Sequence, residues 1–231
     1  MSSFALHIIA MIFMLCDHMW ATILDYEWLT CIGRIAFPIF AFLITEGYIH
    51  TSNINKYIKR MVIFAIITEI PFNLMVSASP IYPFHQNVLW TFVISLLTLK
   101  YLNFDNTKNI FKSILIILLA IIIATVTMCD YFGAGVMMVV GFYIFRKSKL
   151  LQLLMMIYVN MILLQGYSYP IDIAGYTYYF PQQGFALLSL IFIWLYNGKQ
   201  GYHAKWFKIF CYAFYPLHML ILYILTIVLF A

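Results

Sequence analysis

Apolar residues run through this chain in long stretches that neither alternate nor leave a polar stripe. The stretches end at Lys, Arg, Asn, Gly and Pro. Read this way, the chain divides into apolar segments at about 4–24, 29–49, 61–78, 88–102, 113–128, 132–145, 150–165, 183–197 and 206–230. Segments of about 20 apolar residues are long enough to cross a bilayer as helices. The pattern therefore predicts an all-α polytopic membrane protein of about nine transmembrane helices, in a range of eight to ten. It forms a single transmembrane domain over 1–231, with short loops and no room for a soluble domain. The fourth to eighth segments are short, which suits helices that are tilted, broken or packed against protein. The first run has no basic residue before it and no small-residue cleavage site after it, so it reads as a retained span rather than a signal peptide.

Composition agrees. The 231 residues are 65% hydrophobic and 9% charged, against about 45–50% and about 25% in soluble domains. The net charge of +5 could suggest an acidic partner such as nucleic acid, but its distribution argues otherwise. Twelve of the thirteen basic residues lie on one side of the predicted topology, in the groups Lys56/Lys59/Arg60, Lys100/Lys108/Lys112, Arg146/Lys147/Lys149 and Lys199/Lys205/Lys208. Basic loops stay cytoplasmic. The N-terminus is therefore expected inside, on the cytoplasmic side of the membrane. The opposite loops carry Asp25, Glu27, Asp130 and Asp172. Cys16, Cys31, Cys129 and Cys211 are scattered in apolar context, with no metal or disulfide spacing. No metal is expected.

The outer stretch Gly166–Gln183, "GYSYPIDIAGYTYYFPQQ", holds six aromatics and two prolines. It reads either as an interfacial aromatic belt or as a lid over a site.

Ionisable groups inside a bilayer are costly, and they tend to face the bundle interior, to pair, and to mark function. His7, Met11, Met14 and His18 share one face of the first helix, with the two imidazoles about 16 Å apart. Asp17, His18 and Arg34 fall in the outer halves of the first two segments, and His85 and Asp130 in outer loops. Three readings compete. An acid could simply neutralise Arg34 while His18 hydrogen-bonds within the core. The polar residues could line an ion or solute pathway, with Pro38, Pro71 and Pro216 breaking helices. Or His18 could be a general base, with Asp17 or Asp130 orienting it and Arg34 holding developing negative charge. Two further polar sets lie in later segments. Glu69 and Asn73 share a face around Pro71, and Tyr215 and His218 lie on one side of the last segment. Each set suits a substrate site or an interhelical hydrogen bond. Glu46 and His50 are four apart at the inner end of the second segment.

Several blocks then resemble one family: "MLCDHMW", "GRIAFPIFAFLITEGYIHTSN", "KYIKR", "FAIITEIPFNL", "QQGFALLSLIFIWLYNGKQG" and "FYPLHMLILYI" look like the TraX family, in its order, across nearly the whole chain. The resemblance implies a membrane-embedded acyltransferase, in the manner of an F-type pilin N-acetylase. Such an enzyme takes acetyl from acetyl-CoA, or another acyl-CoA, and passes it to the amine of a protein or peptide acceptor such as a pilin. On that resemblance His18 and Asp17 are expected to be catalytic, with Arg34 and Asp130 beside them. Lys56, Arg60, His7 and Glu46 are expected to bind the donor. Glu69, Asn73, His85, His218 and Tyr215 supply polar groups at the substrate site. The alternatives are a glycan or other small acceptor, or a transporter using the same residues.

Overall fold

The computed structural model describes residues 1–164, 166–173 and 175–230. Ten α-helices dominate it: α1 Ser3–Thr22, α2 Glu27–Gly33, α3 Ala36–His50, α4 Ile54–Ser77, α5 Val88–Tyr101, α6 Thr107–Val126, α7 Phe132–Ile144, α8 Lys149–Ile157, α9 Ser189–Trp194 and α10 Lys205–Phe230. α8 continues as a π-turn over Tyr158–Leu163, and α9 is preceded by a 3₁₀ segment, Gln182–Leu188. Five helical units are long and apolar enough to cross a membrane: Ser3–Thr22, Glu27–His50, Ile54–Ser77, Thr107–Val126 and Trp206–Phe230. Four shorter apolar units, Val88–Tyr101, Phe132–Ile144, Lys149–Leu163 and Gln182–Trp194, lie between them.

The segment expected at 61–78 begins seven residues earlier, and that expected at 113–128 six residues earlier. Each added stretch starts on an asparagine cap. Asn53 Oδ1 accepts from Lys56 N at 2.9 Å, and Asn106 Oδ1 accepts from Asn109 N at 3.0 Å. The caps satisfy orphan amides and let the helices begin among their basic residues, whose long stems reach toward water.

α3, α5 and α7 form the centre, with Phe37, Ile39, Leu96, Leu99, Val139 and Phe142 buried. The other helices surround them. On α6, Leu115, Leu118, Leu119 and Ile122 face outward, as a lipid-facing helix requires. Pro38 lacks the amide that would bond the Arg34 carbonyl. The helix breaks there: α2 ends at Gly33, and Ile35 N turns to Ile32 O at 3.1 Å. Pro71 and Pro216 lie inside continuous helices.

The all-α expectation needs one correction. Ser168–Ile173 (β1) and Tyr176–Pro181 (β2) pair antiparallel, from Ser168 opposite Pro181 to Ile173 opposite Tyr176. Gly175 supplies the positive φ, 82°, that a tight turn needs. The backbone groups that face the partner strand are thereby paired within the stretch itself. Residue 165, the expected end of the seventh segment, and residue 174 fall outside the described residues.

Candidate active site

Two histidines 200 positions apart meet inside the bundle. His18 Nδ1 on α1 lies 2.7 Å from His218 Nε2 on α10. The ring planes differ by 10° and the centroids are 4.9 Å apart. That separation equals the N···N distance plus the two ring radii. The rings therefore meet edge to edge in one plane, the geometry of a direct hydrogen bond rather than face stacking. His218 Nδ1 is 2.7 Å from the Phe214 carbonyl, and the Phe214 ring stacks on His218 with centroids 4.8 Å apart. Tyr215, also buried, has its ring centroid 5.9 Å from His218.

Asp17, expected beside His18 as its orienting acid, is engaged elsewhere. Arg34 Nη2 donates to Asp17 Oδ1 at 2.9 Å, and Thr30 Oγ1 donates to the same oxygen at 2.8 Å. Arg34 Nη2 also donates to Thr30 Oγ1 at 2.8 Å. This closed triangle ties α1 to α2 at the helix break. The reason lies in helix phase: Asp17 points about 100° away from His18 on α1, toward α2, while His18 points toward α10.

Asp130 lies in the turn between α6 and α7. It does not touch His18 but is within electrostatic reach of His18, Asp17 and Arg34. Its carboxylate pairs with His85 Nε2 at 3.3 Å. That hydrogen bond holds the His85 pKa above its ordinary value, against the opposing effect of burial. The loops carrying the two residues are joined by Gln86 N to Met128 O at 2.9 Å and Asp130 N to Gln86 O at 3.0 Å. Glu69 takes hydrogen bonds on Oε2 from Asn87 Nδ2 and from Trp90 Nε1, and its buried Oε1 has no partner among the described residues. Asn73 Nδ2 donates to the Pro80 carbonyl at 3.3 Å. Glu69 thus ties α4 to the start of α5, Asn73 ties it to the loop that follows, and the two do not meet.

A cavity of about 600 Å³ lies among α1, α3, α4, α5 and α10. Its basic end is lined by Arg60, Lys208, His50 and His203, and its middle by His7, Met11 and Met61. Its deep end reaches Met14, Phe214 and Tyr215, one helical turn short of His18 and His218. Three residues of the stripe from His7 to His18 therefore line it. His7 Nδ1 is bonded to Ser3 O at 2.8 Å. Glu46 lines the cavity while paired with Arg146 at 3.5 Å and His50 at 3.8 Å. Lys56 is exposed on the first turn of α4, outside this lining.

The family model described as TraX protein matches residues 2–226. The chain belongs to the TraX family. A relative of this TraX-family chain is the probable fimbrial assembly protein FimC, serogroup H1, of Dichelobacter nodosus. It is 26% identical over 236 residues, which cover 96% of this chain and 94% of the relative. No solved structure matches. Sequence reasoning on this TraX-family chain missed Thr30, Asn87, Trp90 and Lys208. Thr30 had a signal, since it lies four residues before Arg34 and shares its helix face. Asn87 and Trp90 had none, because their partner Glu69 is on another helix.

Proposed function

We propose that this TraX-family protein is an acyltransferase of the bacterial cytoplasmic membrane. It moves an acetyl group from acetyl-CoA to the amine of a protein or peptide acceptor. The observation that carries the reading is the cavity: basic at one end, apolar along its length, and ending one turn from a hydrogen-bonded histidine pair. Arg60 and Lys208 suit the donor's phosphates, and the Met-lined middle suits its acyl arm. The relative's name, a fimbrial assembly protein, makes a pilus or fimbrial subunit the favoured acceptor class.

An amine attacks only when deprotonated. As its nitrogen bonds to the thioester carbon, His18 takes the proton, and the C–S bond then breaks. The departing thiolate takes a proton back from the histidine pair. Asp17 and Arg34 hold the α1–α2 wall on which His18 stands. The unpartnered Oε1 of Glu69 keeps a second reading open, in which these groups form a proton or solute pathway.

The test uses membranes containing the protein and radiolabelled acetyl-CoA. Label should enter a protein or peptide with the native chain and be lost with His18→Ala at matched expression. Absence of both labelling and acetyl-CoA binding would sink the acyltransferase and favour the pathway.

A further inference from the structure

We infer that His218 is a positioning residue: it fixes His18 with Nδ1 protonated and Nε2 bare, and it accepts the Nδ1 proton when His18 becomes charged. The role in catalysis rests on the acyl-transfer reading, whereas the tautomer does not.

The argument starts from a carbonyl, which can only accept. Phe214 O is 2.7 Å from His218 Nδ1, so that nitrogen carries a hydrogen. In a neutral imidazole the other nitrogen is then a lone pair. His218 Nε2 is thus an acceptor, and its partner at 2.7 Å, His18 Nδ1, must donate. A neutral His18 that donates from Nδ1 has its lone pair on Nε2. One main-chain carbonyl on α10 therefore decides which nitrogen of a histidine on α1 is the base. Coplanarity of the two rings aligns the donor hydrogen with the acceptor lone pair.

The other helical histidines show what is unusual here. His7, His50 and His218 all place Nδ1 at the carbonyl four residues back, at 2.8, 2.8 and 2.7 Å. His18 does not, and its Nδ1 leaves its own helix for His218.

The same chain of bonds gives an arriving proton somewhere to go. When Nε2 of His18 takes the amine proton, the Nδ1 proton can move along the 2.7 Å bond to His218 Nε2. The charge then sits against the Phe214 carbonyl. Reversal returns one proton to the leaving thiolate, so proton count is conserved. The charged groups within electrostatic reach of His18 are Arg34 at the helix break and Asp130 in the α6–α7 turn; Tyr215 of α10 lies beside His218, and Glu69 of α4 is within electrostatic reach of Tyr215.

The test has two arms on the full-length protein in nanodiscs. In the first, ¹⁵N-histidine NMR should find His18 protonated at Nδ1 and bare at Nε2, with a scalar coupling across to His218 Nε2. Both rings should report the same macroscopic titration steps, as a coupled pair does. An Nε2-protonated His18, or two independent midpoints, would overturn the inference whether or not the protein transfers acyl groups. The second arm is kinetic. Gln at 218 keeps an acceptor oxygen near the Nε2 position but cannot take a proton. His218→Gln should lower kcat about tenfold with KM little changed, and His218→Leu about a hundredfold or more. A native kcat in a folded His218→Leu protein overturns the role. Failure of the native protein to transfer acetyl at all is a failure of the functional reading, and the NMR arm still decides the tautomer of the pair.

Discussion

Gly33 has no side chain because Asp17 occupies the space where one would stand. A Cβ there would come within 2.5 Å of Asp17 Oδ1, and neither partner has room to retreat, since that oxygen is held by Thr30 and Arg34. Gly33→Ala should therefore separate α1 from α2 and cost about 1–3 kcal/mol, as overpacking does, read as a lower thermal midpoint in detergent. An unchanged midpoint would mean that the triangle is not a constraint on this contact. His85 offers a pH signature. Its folded pKa is raised by Asp130, so its contribution is fully present below the unfolded value near 6.5. The contribution is lost as pH rises through the raised folded pKa. Thermal stability should fall across that window in the native protein, and His85→Gln should flatten the fall. Equal slopes in both would remove His85 as the cause. At this scale the sequence marked Asp17, His18, Arg34 and His218 because a charge or imidazole in an apolar run needs a reason. It could not pair them: helix phase turns Asp17 to Arg34 rather than to its neighbour, and His18 bonds a residue 200 positions away.

Among the elements, the apolar segments were legible because hydrophobic length is written directly in the chain. Their starts were less so, since a basic run such as Lys56–Arg60 looks like a loop until the Asn53 cap is seen. The hairpin was missed for a different reason. Its two strands are rich in Tyr and carry Pro, so neither alternates cleanly, and their stability comes from pairing with each other. Its base is anchored on α2, where the Tyr169 hydroxyl lies 3.3 Å from Cys31 Sγ and accepts from Gln182 Nε2 at 3.1 Å. Removing that ring should uncover the thiol. Maleimide should label Cys31 several-fold faster in Tyr169→Ala than in the native protein. Equal rates would show that the hairpin does not cover it.

On the scale of the molecule, two of the basic residues that predict orientation also line the cavity. Arg60 and Lys208 belong to the loop-proximal ends of α4 and α10 that positive-inside counting places in the cytoplasm. The cavity runs from that end toward residues read as outward, and its deep lining includes Phe214, whose ring stacks on His218. A cavity with an aromatic ring at its deep end can serve as a ruler. On the acyl-transfer reading, the distance from the basic mouth to Phe214 sets how long an acyl tail can be before it meets the ring and its carbonyl is held back toward the mouth, away from the histidines. Selection among donors would then be a matter of depth, with no group needed to recognise the tail itself. Phe214→Ala removes the ring and keeps the main-chain carbonyl that bonds His218. It should shift preference from acetyl toward longer acyl-CoAs in a competition assay. An unaltered preference would mean that the chain is measured somewhere else.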